Sequence, residues 1–195
     1  MKRGFDIVGA LVLLAVLVLP MLLAALLVRW RLGAPVLFRQ ERAGRGGVPF
    51  ILLKLRSMRT GPGDDAARLT AFGRALRASA VDEAPQLWNV LRGEMSLVGP
   101  RPLPMAYQPL YTARQARRLA VRPGLCGLAQ AAGRNAVPWA EKLELDARYA
   151  EAPSLRGDLR IIWRCMGVLL RGEGVSAPGH ATAPAFEGRG PGLMP

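Results

Sequence analysis

Ile7-Val8-Gly9-Ala10-Leu11-Val12-Leu13-Leu14-Ala15-Val16-Leu17-Val18-Leu19-Pro20-Met21-Leu22-Leu23-Ala24-Ala25-Leu26-Leu27-Val28 carries no charged side chain, and its reading decides the architecture of the chain. A membrane helix needs about 20 predominantly apolar residues, and this run is long enough. A secretory signal has a shorter apolar core, roughly 7–15 residues, followed by a small-residue cleavage site. Here the run ends in Arg29-Trp30-Arg31, which predicts a retained membrane segment. Pro20 lies inside it, where proline removes a helical hydrogen bond and kinks the axis. Basic residues flank both ends: Lys2 and Arg3 before it, Arg29 and Arg31 after it. Such charges favour the cytoplasmic side. A kinked hairpin that enters and leaves one leaflet satisfies both flanks at once. A tilted single span with its anchors split satisfies the same composition.

The bulk numbers narrow the chemistry. A length of 195 residues fits one domain with appendages. With 27 basic against 14 acidic residues the net charge is +13, which calls for an anionic partner: nucleic acid, anionic lipid or a phosphorylated substrate. Cys126 and Cys165 form no metal-binding or disulfide framework and fit a reducing compartment. The only histidine, His180, sits in a Gly/Pro-rich tail. Histidine-based metal sites and a Ser-His-Asp triad are therefore poor candidates. No phosphate-binding P-loop or complete dinucleotide fingerprint is present. Any catalysis then rests on carboxylates and arginines, with a hard metal ion as an option.

Beyond the apolar run, Pro35–Arg42 and Phe50–Met58 read as strands around the turn Ala43-Gly44-Arg45-Gly46-Gly47, a basic hairpin. Leu69–Leu76, Thr112–Val121, Pro138–Tyr149 and Leu155–Leu170 read as helices. In the last of these Leu155, Leu159, Ile162, Trp163, Met166 and Leu170 form one apolar stripe, expected to face the core with partial contact at a membrane interface. From Gly172 onward the composition is that of a disordered tail.

Between these elements lies Asp82-Glu83-Ala84-Pro85-Gln86-Leu87-Trp88-Asn89-Val90-Leu91, running into Gly99-Pro100-Arg101-Pro102. Asp82 has the character of an N-cap and Pro85 falls in the first turn. Ala84, Leu87, Trp88 and Leu91 recur at helical spacing as one apolar face. The carboxylates then sit at the positive end of a helix dipole. As a capping pair they need no further role. As chemistry, adjacent carboxylates are too constrained for a glycosidase pair, but a carboxylate can attack phosphorus. An ordinary aspartate, with a pKa of about 3.9, is ionised at neutral pH and needs no activating base. Mg²⁺ and arginines would offset repulsion from an anionic phosphate.

The stretch from Asp82-Glu83-x-Pro85-Gln86-Leu87-Trp88-Asn89-Val90-Leu91 through Gly93, Met95-Ser96-Leu97-Val98 and Gly99-Pro100-Arg101-Pro102 resembles the bacterial sugar transferases. These are the monotopic phosphoglycosyl transferases that begin glycan assembly on a polyprenyl phosphate. Phe38–Arg42, Lys54–Met58, Val121–Gln130, Gly133–Ala136 and Lys142–Asp146 match in the same order, so the resemblance covers nearly the whole chain. Gly174-Val175-Ser176, Gly179-His180, Thr182, Phe186 and Gly188 further resemble the small enzymes that load diacetylbacillosamine phosphate for protein glycosylation. Leu19, Ala80 and Ala84 depart from residues usual in the family.

The resemblance implies a mainly helical α+β protein: a re-entrant helix kinked at Pro20 over residues 1–32, a cytoplasmic catalytic domain with a β-hairpin and interfacial amphipathic helices over 33–171, and a tail over 172–195 packing near the site. It implies a UDP-sugar donor bound with Mg²⁺, and undecaprenyl phosphate as acceptor at the bacterial cytoplasmic membrane. Asp82 matches the nucleophile that releases UMP and contacts the metal. Glu83 matches the carboxylate that assists deprotonation of the lipid phosphate. Lys54, Arg56, Arg77, Pro100, Arg101, Pro102 and Arg134 match substrate-binding positions. Membrane lipid and a second copy of the chain are further partners on this reading; nucleic acid is not. Two rivals use the same charge: a membrane-tethered nucleic-acid binder, for which no motif stands out, and an anchored interaction protein without chemistry.

Overall fold

The computed structural model describes residues 1–175, 177 and 184–188. Its first element, α1 (Lys2–Leu32), is one helix that includes Pro20. Asp6, Ala10, Ala24 and Val28 are buried on it, with Leu14, Leu17 and Met21 half-buried between them. These positions recur at steps of three and four, so one stripe of the helix faces the rest of the chain along its length. The other faces, with Leu11, Val16, Leu19, Leu23 and Leu26, are exposed. Only 11% of its most apolar window is buried, at a mean hydropathy of 3.1. Those values suit membrane association and not the core of a soluble fold.

Both ends of α1 are tied to the globular part. Lys2 Nζ bonds Asp158 Oδ2 at 2.5 Å and the Val98 carbonyl at 3.2 Å. The Arg3 guanidinium donates to the carbonyls of Val90 and Leu91. Asp6, 1% exposed, accepts from Ser96 Oγ at 2.8 Å and from the Leu97 amide at 3.0 Å. At the far end the Arg56 guanidinium donates to the carbonyls of Leu32 and Gly33, both at 2.6 Å, and so caps the terminal carbonyls of the helix.

The basic hairpin forms where two extended segments flank a glycine-rich turn, as expected. Strands β1 (Leu37–Ala43) and β2 (Pro49–Leu55) pair antiparallel from Leu37↔Leu55 to Ala43↔Pro49. Gly46 and Gly47 take positive φ in the turn, a conformation glycine adopts without strain. The second strand stops at Leu55, short of Met58. Short helices α2 (Asp65–Arg68) and α3 (Ala71–Ala78) follow, capped by Asp64 and Thr70. Helix α4 (Gln86–Arg92) ends at Gly93 in the left-handed conformation. Its buried Asn89 staples it to the hairpin: Oδ1 accepts from the Leu53 amide at 3.1 Å, and Nδ2 donates to the Ile51 carbonyl at 2.7 Å.

Strand β3 (Ser96–Val98) pairs parallel with β4 (Gly124–Cys126), which lies in a segment whose sequence reads as turns. The basic segment between them is shorter than expected as α-helix: α5 (Ala113–Ala116), with a Thr112/Gln115 capping box, passes into a 3₁₀ turn over Arg117–Ala120. Helices α6 (Leu128–Gly133), α7 (Trp139–Glu151) and α8 (Leu155–Leu170) complete the domain. The main core gathers Leu87, Val90, Met95, Val98 and Ile161, with Ala10 of α1.

Helix α8 corrects one expectation. Of its apolar stripe only Ile162 packs against the core. Leu159 is 53% exposed, Trp163 76% and Leu170 84%, while Asp158, Ile161 and Val168 are the residues turned inward. Asp158 can point inward because Lys2 and the Tyr149 hydroxyl (2.8 Å) satisfy it. That leaves the stripe of leucines, Met166 and Trp163 outside.

The tail departs from its composition in the described part. Phe186 is 6% exposed, packed among Tyr107, Tyr111 and Trp139, and its amide bonds the Tyr107 hydroxyl. Trp139 Nε1 donates to the Pro184 carbonyl at 3.0 Å. Asn135, beside Arg134, bonds the carbonyls of Gly174 and Val175. Ser176, Gly179, His180 and Thr182 lie outside the described residues.

Candidate active site

Asp82 and Glu83 do not cap α4. They occupy a separate 3₁₀ turn, Val81–Glu83, and the cap of α4 is Pro85. Ala84 and Pro85 both hold right-handed helical backbone, so the 3₁₀ turn runs on into α4 through the proline, whose fixed φ suits that course. Ala80 enters that turn with φ 55 and ψ 9, a left-handed conformation unusual for a residue with a Cβ. The apolar face also differs from the expected one. Ala84, Leu87 and Val90 are buried, whereas Trp88 is 55% exposed.

The two carboxylates have opposite environments. Asp82 is 3% exposed. Burial, then the neighbouring Glu83 charge, push it up to about 6 against the pull of Lys54, Arg77 and Arg101. Burial also pushes Glu83 up, but the charge and hydrogen bonds of Arg101 outweigh it and leave Glu83 at about 2. Arg101 engages both Glu83 carboxylate oxygens, Nη1 to Oε2 at 3.3 Å and Nη2 to Oε1. Two-point contact of this kind fixes geometry as well as charge.

Most of the expected cations converge here. Burial and Arg77 lower the pKa of Lys54, while both carboxylates hold it up. Arg77 Nε donates to Ser57 Oγ at 2.8 Å, and its charge acts on Asp82. Arg134 reaches the Arg77 carbonyl at 3.4 Å, leaves Nη1 without a hydrogen-bond partner, and acts on Glu83. Arg42, Lys54, Gln86, Arg101 and Pro102 line a small cleft beside the pair. Arg56 Nη2 is held at the end of α1 by the Leu32 and Gly33 carbonyls, while its Nε and Nη1 have no hydrogen-bond partner among the described residues.

The Pro100-Arg101-Pro102 turn is pinned at three points. The Gly124 amide donates to the Pro100 carbonyl at 2.9 Å. Arg42 donates to the Pro102 carbonyl at 3.2 Å. Arg118 Nη2 donates to the Arg101 carbonyl at 2.5 Å and to Asp146 Oδ2 at 2.8 Å. Arg118 and Asp146 are each 3% exposed. Truncating one partner of such a buried pair costs about 3–5 kcal/mol, because the other is left charged and alone. Neither was expected to matter. Their 28-residue separation hides the pairing, although Asp146 closes one of the family-like segments.

A metal has limited provision. Among the described residues no group of three or more His, Cys, Asp or Glu side chains could hold an ion. Asp82 and Glu83 alone fit Mg²⁺ only in its usual mode, with one or two carboxylates and the rest of the shell from substrate phosphates and water. Since Glu83 is paired with Arg101, Asp82 is the available donor.

A family model described as bacterial sugar transferase matches residues 1–172. The chain is 45% identical to the uncharacterized sugar transferase EpsL of Bacillus subtilis, over 97% of both chains. It is 46% identical to a UDP-glucose:undecaprenyl-phosphate glucose-1-phosphate transferase of Caulobacter vibrioides, over 87% of this chain and 69% of that protein. It is also 32% identical to an undecaprenyl-phosphate galactose phosphotransferase of Salmonella typhimurium, over 89% of this chain and 41% of that protein.

Proposed function

The chain belongs to the bacterial sugar transferase family, and from that premise we propose that it moves a sugar 1-phosphate from a UDP-sugar to undecaprenyl phosphate through a covalent intermediate on Asp82. The observation that carries this reading is the buried Asp82, set beside a paired Glu83 and within the field of Lys54, Arg77 and Arg101. An Asp82 oxygen attacks the sugar-bearing phosphorus, the bond from that phosphorus to the UMP oxygen breaks, and UMP leaves. A phosphate oxygen of the lipid then attacks the same phosphorus and breaks its bond to Asp82. The product is a polyprenyl diphosphate sugar, and Asp82 returns as a carboxylate.

The protein's part is charge placement. Lys54, Arg77 and Arg101 meet the donor diphosphate, and the rigid Pro100-Arg101-Pro102 turn walls the nucleotide side. Asp82 would hold Mg²⁺ together with the donor phosphates; the ion would neutralise charge on them. Glu83 is a weak base while Arg101 grips it. Donor phosphates that draw Arg101 away restore its basicity in time for the incoming lipid phosphate.

The test is a single-turnover burst of UMP with a UDP-sugar panel and no acceptor, which excludes titration of the lipid phosphate. One equivalent of UMP per enzyme is expected, with an aspartyl adduct by mass spectrometry. With donor held well below saturation, so that the free enzyme's ionisation is read, the burst rate should fall about tenfold per pH unit below the Asp82 value of about 6, since only the carboxylate is nucleophilic. A rate that stays flat well below that pH would remove Asp82 from the role.

The same reading places α1 in the membrane as a re-entrant anchor, with the domain on the cytoplasmic face. Its support is that both ends of α1 dock on one globular domain. A segment crossing the bilayer would carry one end away from it. The outward stripe of α8 supplies an interfacial surface beside the anchor. Tags at Met1 and after Arg171 should both be accessible only from the cytoplasm; periplasmic labelling of Met1 would show a single span instead.

A further inference from the structure

Away from Asp82, a cavity of about 240 Å³ opens between α7 and the first turns of α8. Leu128, Ile161 and Tyr149 line it along with three arginines, Arg148, Arg160 and Arg164. Arg148 is positioned by its Nε bond to Glu144 at 2.8 Å. Arg160 and Arg164 make no hydrogen bond or ion pair among the described residues. Two solvent-exposed guanidinium groups without a protein partner, beside an apolar wall, suit an anion that brings apolar mass with it. The N-terminus of the 16-residue α8, capped by Ser154, adds positive potential on the same side.

The helix itself says where that anion comes from. At 100° per residue, Arg160 and Arg164 lie on the flank of α8 between its buried face, marked by Ile161 and Val168, and its exposed stripe of Leu159, Trp163 and Met166. With the stripe sunk among acyl chains, both arginines stand at headgroup height and the cavity opens beside them. We propose that this cavity binds the phosphodiester headgroup of an anionic membrane phospholipid. The net charge of +13 makes such a lipid the favoured neighbour. The inference rests on α8 lying at the membrane interface, as proposed above.

The full chain would be placed in phosphatidylcholine nanodiscs doped with phosphatidylglycerol, and the lipids retained after gentle extraction counted by native mass spectrometry. The wild type should keep phosphatidylglycerol in preference to phosphatidylcholine. Arg160→Gln with Arg164→Gln should lose that preference by about thirtyfold, since each basic residue at an anionic surface is worth about fivefold. The UMP burst in neutral nanodiscs should be unchanged, which shows that the double variant is folded. Equal retention by the variant overturns the site. So does displacement of the lipid by inorganic phosphate as readily as by phosphatidylglycerol, which would mark a free-anion site. Quenching of Trp163 by brominated phosphatidylcholine, taken as the difference from Trp163→Phe, checks the underlying placement. Its absence takes α8 out of the membrane and overturns the proposal with it, whereas quenching with unchanged retention overturns the headgroup site alone.

Discussion

Replacing Asp82 by Asn is expected to cut UMP release by about 10⁴-fold or more, as loss of a covalent nucleophile does, while the protein melts no lower than the wild type. Both halves follow from one environment. Asp82 is buried beside another carboxylate, so the folded state raises its pKa to about 6. A carboxyl whose folded pKa lies above its unfolded value binds its proton more tightly when folded. Its contribution therefore favours the fold below the unfolded pKa and is lost as pH rises through about 6. At neutral pH the ionised group is a burden on stability, and Asn, neutral and of the same shape, removes it. The measurements are the burst assay and a thermal melt at neutral pH. An active variant sinks the nucleophile assignment. An inactive variant that melts much lower shows that Asp82 holds the fold together and gives no support to the covalent role.

Arg101→Gln is expected to lower kcat/KM by about 10²–10³-fold, the usual cost of one preorganised charge donor at a reacting group. It should also move the acid limb of the burst above about 6. Arg101 holds Glu83 down and lowers Asp82. Without it, Glu83 remains beside Asp82 with its main counter-charge gone, and the two carboxylates compete more strongly for a proton. Arg101→Lys should restore most of the limb, since the charge returns, but not the rate, since a single ammonium cannot grip two oxygens. A limb that stays in place in Arg101→Gln would show that Arg101 serves the substrate only. Loss of the limb shift together with unchanged kcat/KM would remove it from the site.

The sequence made some of this legible and hid the rest for identifiable reasons. The hairpin was readable because two short segments of extended character flank a glycine-rich turn. Helix α8 was readable to the residue because a serine cap and helical spacing mark its ends. Its orientation was not. An apolar stripe reads the same against a core or a bilayer, and only the inward Asp158, satisfied by Lys2 from the far end of the chain, shows which face is inside. The Asp82-Glu83 pair was visible, but its setting in a 3₁₀ turn ahead of Pro85 was not, because an acidic pair before a proline is also an ordinary helix start. Arg56 was grouped with the site cations on motif alone, and the structure turns it to the end of α1. Arg118, Asp146 and Asn89 carry no local signal, since each works through partners tens of residues away.

Asp6 has a consequence of its own. An apolar helix packed against apolar side chains can slip by a turn or roll with little penalty, because one leucine replaces another. The single carboxylate of α1, bonded to Ser96 and Leu97, has only one place where both partners are in reach. It acts as a depth gauge. Because Ser96 and Leu97 lead directly into the Gly99–Pro102 turn beside the Asp82-Glu83 pair, fixing the register of α1 also fixes where that pair stands along the helix. A lipid-linked acceptor cannot rise far from the plane of lipid phosphates. On the proposed reaction, this buried carboxylate, together with Lys2, Arg3 and Arg56, helps set the distance between Asp82 and the lipid-linked acceptor.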